Sequence, residues 1–197
     1  AFGGINTWGG VTVHPPILTG KSYLRIGSID TGKMVIYPIA DNVDGRGNQL
    51  VNWVAEIRRE GDAMNDWNKA GRPEDFIAIF EDWKFDWLDV PGLIRGARDI
   101  FEYPMVDKDP VPRWTFGRVT LLGDAAHPMY PRGSNGSAQA LIDARVLGET
   151  LSAAGGDVER AFAAYDEARR ETTNAIVLKN RATPPDYIIE RVRELTH

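Results

Sequence analysis

The residues best placed to do chemistry lie between Gly117 and Ala144, in the run GRVTLLGDAAHPMYPRGSNGSAQALIDA. An apolar stretch, Arg118 to Leu122, leads into an acid-bearing turn, Gly123-Asp124-Ala125-Ala126, then a glycine-rich loop, Met129 to Gly136, and a helical pattern from about Asn135. A crossing at the carboxyl end of a strand is where α/β folds bind ligands. Gly123 permits a tight turn or close backbone approach, and Ala125 and Ala126 leave room for a bulky ligand. Asp124 is a poor neighbour for phosphate, because like charges repel, but a good acceptor from ligand hydroxyls. The helix start offers unpaired backbone N–H groups that favour negative charge. A ligand with hydroxyls at one end and a ring able to become anionic at the other fits both features, and a reduced flavin meets that description. A strand–loop–helix with no ligand remains the alternative reading. The loop is neither GxxxxGK[ST] nor GxGxxG.

Other chemistries fit less well. A Ser134–His127–Asp124 triad can be drawn, but its close spacing and the lack of a nucleophile elbow argue against it. His127 reads as a structural histidine, and the scattered His14 and His197 suggest no metal site. Without cysteine there are no disulfides, thiolate metal sites or cysteine nucleophile. With 23 basic against 28 acidic side chains, the net charge of −5 does not favour nucleic acid. Arg58-Arg59 and Arg169-Arg170 read as solvated faces. No apolar run approaches the length of about 20 residues that spans a bilayer, and the composition fits a cytoplasmic protein.

The elements that must position these residues follow from pattern. Ser22–Ser28, Met34–Ile39 and Gln49–Ile57 read as an antiparallel meander, with Pro38 at an edge or a bulge. Arg72-Pro73-Glu74-Asp75 reads as a helix start, with Phe76, Ile77, Ile79 and Phe80 on its apolar face. Trp83, Phe85, Trp87 and Leu88 read as a core-facing aromatic cluster, with a wall for a flat ligand as the alternative. Residues 61–95 are otherwise less regular, and 98–113 are extended. Ala138, Leu141, Ala144 or Arg145, Leu147 and Leu151 recur at helical spacing, as do Val158, Phe162, Tyr165, Ala168 and Thr172 after an Asp157 cap. A last helix, about Asp186 to Leu195, follows Pro184-Pro185.

The run from Gly117 to Ala144 resembles the second flavin motif of the group A flavoprotein aromatic hydroxylases, the salicylate hydroxylase-like and para-hydroxybenzoate hydroxylase-like monooxygenases. Tyr103 to Pro110 with Arg113-Trp114, and Val35 to Ile39, are similar to that family too. The resemblance implies FAD, with Asp124 on the ribityl hydroxyls and Gly123 and Ala125 shaping the backbone around it. It places Pro131 near the reactive side of the flavin ring, and the segment Ser134, Asn135, Gly136 and Ser137 at the pyrimidine edge. The order Ser134-Asn-Gly-Ser-Ala138 swaps the last two side chains of one common family version, so only the amides carry over there. On the substrate side the resemblance suggests Tyr37 and Trp8, and no residue stands out as a general base.

The implied fold class is α/β with α+β character, an incomplete para-hydroxybenzoate hydroxylase-like fold. Residues 1–112 would form a partial substrate-binding domain with a mainly antiparallel sheet, and 113–197 the C-terminal part of the FAD-binding domain. The implied activity is hydroxylation of an aromatic substrate by dioxygen through a C4a-hydroperoxyflavin, with NAD(P)H as transient reductant. Neither the GxGxxG nor the Asp-Gly motif that the family carries upstream is present as an upstream motif here, Asp44-Gly45 and Asp30-Thr31-Gly32 reading as turns that do not replace the latter, and the opening AFGGINTW reads like the middle of a domain. The expectation is therefore the C-terminal half of an enzyme, partnered by an N-terminal FAD-binding segment and inactive alone. A homodimer is left open. A related epoxidase, halogenase or reductase, or a degenerate non-catalytic partner, are the alternatives.

Overall fold

A computed structural model describes residues 2–58 and 69–196. Arg59, His197 and part of the irregular 61–95 stretch lie outside the described residues. The chain divides into two compact units, one of residues 106–185 and one of residues 2–105 with 186–197.

The larger unit is built on a five-stranded sheet in the order β2-β3-β4-β1-β7. Its strands are β1 (Phe2–His14), β2 (Leu24–Ser28), β3 (Gly32–Ala40), β4 (Gln49–Arg58) and β7 (Ile100–Val106). The β2–β3, β3–β4 and β1–β4 pairs are antiparallel, so the expected meander is present and gains β1 as a long additional strand. Pro38 sits inside the sheet, and the register shifts between Pro38 and Ala40. The bulge accommodates a residue that cannot donate to the ladder.

One face of this sheet carries the core, with Trp8, Met34, Ile36, Val51, Trp53 and Phe76 among its buried members. Trp53 is fully buried and donates from Nε1 to Thr12 Oγ1 at 3.1 Å. Its ring occupies the space over Gly10, where an added Cβ would meet Trp53 Cζ2 at 2.4 Å. Glycine is what lets the two strands close on an indole.

The expected helix at Arg72–Phe80 is instead two 3-10 turns, Pro73–Asp75 and Ile77–Phe80. Neither is long enough to sustain an α-helical ladder, and they are held by burial of Phe76 and Phe80. The aromatic cluster is split. Leu88 is buried and Trp83 packs edge-on to Phe80 at 4.9 Å, whereas Phe85 and Trp87 are exposed and stack on each other at 5.2 Å. The two-residue strands β5 (Lys84–Phe85) and β6 (Leu88–Asp89) form a tight hairpin that turns those two rings outward. Asp89 then caps α1 (Val90–Arg95) by accepting from Gly92 N, a helix the apolar pattern did not announce.

In the smaller unit the expected strand from Arg118 to Leu122 is reduced to a hairpin, β8 (Thr115–Phe116) with β9 (Val119–Thr120). The apolar side chain of Val119 points to solvent. The helices are α2 (Gly136–Ala153) and α3 (Val158–Ala182), the latter capped by the Asp157 carboxylate on Arg160 N. Residues Tyr187–Thr196 form α4, which belongs to the larger unit. There Asp186 Oδ2 accepts from Ile29 N at 2.8 Å, and its other oxygen lies 3.7 Å from Lys33 Nζ.

The apolar faces expected of α2 and α3 are only partly the ones that pack, for Leu147 lies against the Trp114–Tyr165 cluster and Val158 and Phe162 are half-buried. In α2 the buried residues are Gln139 and Asp143, while Leu141 is 73% exposed and Ala138, Ala144, Arg145 and Leu151 are also exposed. In α3 Tyr165 is buried as expected, but Ala168 and Thr172 are exposed and the buried stripe runs one residue on, through Arg169 and Thr173. Ion pairing sets the rotation of both helices. Arg169, read as solvated, is 7% exposed and donates from Nε to Asp143 at 2.8 Å and from Nη2 to Gln139 Oε1 at 2.6 Å. A buried charge is tolerated only when paired, so these two side chains must face each other whatever their neighbours prefer. Arg170 pairs with Asp166 at 2.7 Å on the rim, and Arg58 stays exposed beside Asp30.

A candidate cofactor cradle around Gly123 and the start of α2

The acid-bearing turn is a single 3-10 turn, Gly123–Ala125, entered from extended Leu122. Gly123 has φ +57°, and a Cβ there would press against Ala140 of α2 at 3.3 Å. Both backbone groups of Gly123 are held. Its N–H donates to Asp143 Oδ2 at 3.2 Å, and its carbonyl accepts from the amides of Ala126 and His127, each at 2.9 Å.

Asp143 is the hub behind the turn. It is fully buried and accepts from Gly123 N, from His127 Nε2 at 2.6 Å and from Arg169 Nε. Burial works against its charge, but the His127 and Arg169 hydrogen bonds and the Gly123 amide outweigh it and hold the carboxyl below the usual carboxylate range. His127 is thus a structural histidine engaged with Asp143, not with Asp124, and its ring packs against Trp114 at 5.3 Å. The disfavoured Ser134–His127–Asp124 triad is not assembled.

On the other side of the turn Asp124 and Ala125 are exposed. The loop beyond carries two left-handed residues in succession, Gly133 at φ +79° and Ser134 at φ +54°. It brings the chain to Asn135, whose side chain does not cap α2. The first-turn amides of Gly136, Ser137 and Ala138 precede the first helical bond, Gln139 N to Asn135 O. Nothing lies within 4 Å of a Cβ built on Gly136. Pro131, Ser134 and Ser137 are exposed and Asn135 is half-buried. The unit therefore presents an outward carboxylate on a rigid turn and an uncapped helix start. That donor and acceptor set suits a ligand bearing hydroxyls and an electron-rich edge.

The suggested substrate-side residues lie in the other unit. Tyr37 is half-buried on β3 and stacks on Tyr23 at 5.5 Å. Trp8 is buried in the core and stacks on Phe76 at 5.0 Å. Among the described residues no group of His, Cys, Asp or Glu could hold a metal ion, and no helix is long and apolar enough to cross a membrane.

Residues missed by sequence reading are Asp143, Arg169 and Gln139, whose partners are 16 to 30 positions away. The one available signal was a polar residue at the inward spacing of an otherwise apolar helix. Arg132, on the loop, was missed as well. Its Nη1 donates to the carbonyls of Asn180 and Arg181 at the end of α3.

Residues 103–180 match the family model of the FAD binding domain. The chain is 41% identical over 180 residues to the phenazine 1,6-dicarboxylic acid hydroxylase PhzS of Lysobacter antibioticus, covering 90% of this chain and 44% of that one. It is 44% identical over 163 residues to 3-hydroxybenzoate 6-hydroxylase 2 of Aquipseudomonas alcaligenes, covering 82% and 48%. The solved structure of CtdE in complex with FAD superposes with a TM-score of 0.72 at 19% identity, covering 91% of this chain and 50% of that one. The resemblance to the group A flavoprotein aromatic hydroxylases is borne out, as is the mixed α/β fold with its antiparallel sheet and C-terminal helices. The chain spans less than half the length of the two curated relatives.

Proposed function

We propose that this chain is the C-terminal portion of an FAD-dependent, NAD(P)H-using monooxygenase that hydroxylates an aromatic carboxylic acid. The observation that carries the flavin reading is the pairing of an outward Asp124 on the braced Gly123 turn with the uncapped start of α2. In this reading Asp124 accepts hydrogen bonds from the ribityl hydroxyls. Gly123 and Ala125 allow close approach of the backbone. The amides at Asn135, Gly136 and Ser137 face the pyrimidine edge and stabilise negative charge there, while Pro131 and Ser134 shape the loop beside the ring. The bound flavin would supply the activation of dioxygen, with electrons from NAD(P)H. The protein's part is to orient the substrate and exclude water.

The substrate class rests on the two curated relatives, named for a phenazine dicarboxylic acid and a hydroxybenzoate. Residues 2–105 would supply the substrate sheet. We assign Tyr37 to its ligand-facing wall, since the ring keeps accessible surface, and Trp8 to the packing behind it. The remaining wall of the FAD site would come from a preceding segment carrying a dinucleotide fingerprint. The exposed apolar side chains Val119, Leu141 and Leu151 are ones such a segment would cover. In this reading the 197 residues alone bind FAD weakly and hydroxylate nothing, and the whole enzyme is cytoplasmic.

Two measurements test this. FAD titration followed by flavin fluorescence should give weak binding to the chain alone and tight binding once the complementary half is supplied, with Asp124→Ala weakening the latter about 10- to 100-fold (~1.4–2.7 kcal/mol). Tight FAD binding by the isolated chain, with NADH-dependent oxygen consumption, would overturn the need for a second half. No FAD binding by the joined halves would overturn the flavin reading itself.

A further inference from the structure

The loop that carries Pro131 to Gly136 has a geometry that its own residues do not favour. Ser134 is an L-residue in the left-handed region, directly after the left-handed Gly133, and such a conformation persists only where surrounding structure enforces it. Two side chains connect the loop to the end of α3.

The first is Arg132. A helix C-terminus leaves its last carbonyls without intrahelical partners and concentrates partial negative charge there. At α3 the amide and hydroxyl of Thr183 both donate to Lys179 O, and Pro184-Pro185 then stops the helix. The next carbonyls are met from outside, because Arg132 Nη1 reaches Asn180 O at 3.3 Å, Arg181 O at 3.2 Å and Thr183 O at 2.5 Å. Its guanidinium also lies 4.7 Å from the ring centroid of the buried Tyr130. The second is Asn180, whose Nδ2 donates back to Tyr130 O at 3.2 Å. The loop and the helix end thus hold each other, one by a cation on carbonyls and the other by an amide on the loop backbone.

We propose that Arg132 is a positioning residue for the cofactor loop. By capping the C-terminus of α3 it fixes the left-handed turn from which the first amides of α2 project. The ligand in question, a flavin, rests on the function proposed above, but the clamp itself does not. All three contacts come from one nitrogen, Nη1, whose two N–H groups are shared among the three carbonyls. The loop's shape is therefore set by a helix that need not touch the ligand.

Hydrogen–deuterium exchange on the 197-residue chain tests the clamp. Arg132→Met keeps an unbranched apolar stem and removes every donor. We expect the bonded amides at the two ends of the turn, Ser134 N on Pro131 O and Gln139 N on Asn135 O, to exchange about tenfold faster, the loss of roughly one charged hydrogen bond. The body of α2 and the larger unit should keep wild-type protection, and Arg132→Lys should fall between. Wild-type exchange of the loop in Arg132→Met overturns the proposal. Should Arg132→Met lose the fold as a whole, Arg132→Lys decides. Loosening confined to the loop supports the clamp, and wild-type protection or global loss overturns it. With the complementary half supplied, Arg132→Met should bind FAD about tenfold more weakly and shift the flavin absorption band. A loosened loop with unchanged FAD affinity and spectrum overturns the positioning role. Absence of FAD binding in the wild type counts against the flavin reading alone, and the clamp is then judged by exchange.

Discussion

At the scale of single residues, Asp143 has the most to lose. Replacing it by Asn keeps its shape but strips the counter-ion from buried Arg169 and weakens the hold on His127 and Gly123. Breaking a buried pair by removing one partner costs about 3–5 kcal/mol. We expect Asp143→Asn to lower the unfolding free energy by about that amount in urea titrations. The pH dependence follows from the depressed carboxyl. Stability from Asp143 is fully present above the unfolded value of about 3.9 and is lost as pH falls through the lower folded value. The wild-type chain should therefore shed stability below about pH 4, and Asp143→Asn should be flatter in that range. Equal acid sensitivity in the two proteins would show that other carboxylates govern it. The turn at Gly123-Asp124 and the helix start near Asn135 were readable in advance, because a glycine-bearing turn and the onset of helical spacing are local signals. The site's inner half was not, since the His127–Asp143–Arg169 contacts join residues that only tertiary packing brings together.

Among the elements, the β1–β4 pair and α2 teach opposite lessons. β4 alternates and packs as a strand should, and its position was legible from its β-branched and aromatic residues. What could not be read was that Gly10 on β1 is the floor beneath Trp53. Gly10→Ala should cost about 1–3 kcal/mol as an overpacking change, measurable as a lower denaturation midpoint, and a neutral result would mean that the indole can move. For α2, apolar periodicity found Leu147 but not the centre of the buried face, because two polar residues claimed the interior and turned Leu141 outward. In the isolated chain Leu141→Ala should change stability by no more than about 0.5 kcal/mol, as for any exposed side chain. A larger loss would show that the isolated chain already covers that surface.

At the scale of the whole molecule, two compact units share one chain, and the larger is completed by residues returning from the far end. Its core was visible as a sheet-rich, aromatic-rich first half. The return of α4 was not, because nothing in its amphipathic pattern says which body it joins. Asp186 is the tie, meeting Ile29 N and lying near the buried Lys33, which also donates to Glu56 at 2.9 Å. Truncation after Pro185 should therefore destabilise the larger unit and spare the helical pair α2–α3, giving earlier proteolysis within residues 2–105. Equal protection of both units would show that α4 is dispensable.

The smaller unit, by contrast, is one uninterrupted stretch, bounded by the end of β7 on one side and by Pro184-Pro185 on the other. The clasp between Arg132 and α3, the Asp143 hub and the pairing of Arg181 with Asp107 at 2.8 Å all close within it. Two recombination breakpoints, one at each boundary, would thus carry the entire arrangement into a homologous gene without cutting a helix or severing any of those pairs. Shuffled chimaeras crossing at those two seams should survive more often than those crossing between Gly123 and Asp143, where inherited halves would have to rediscover each other's charges.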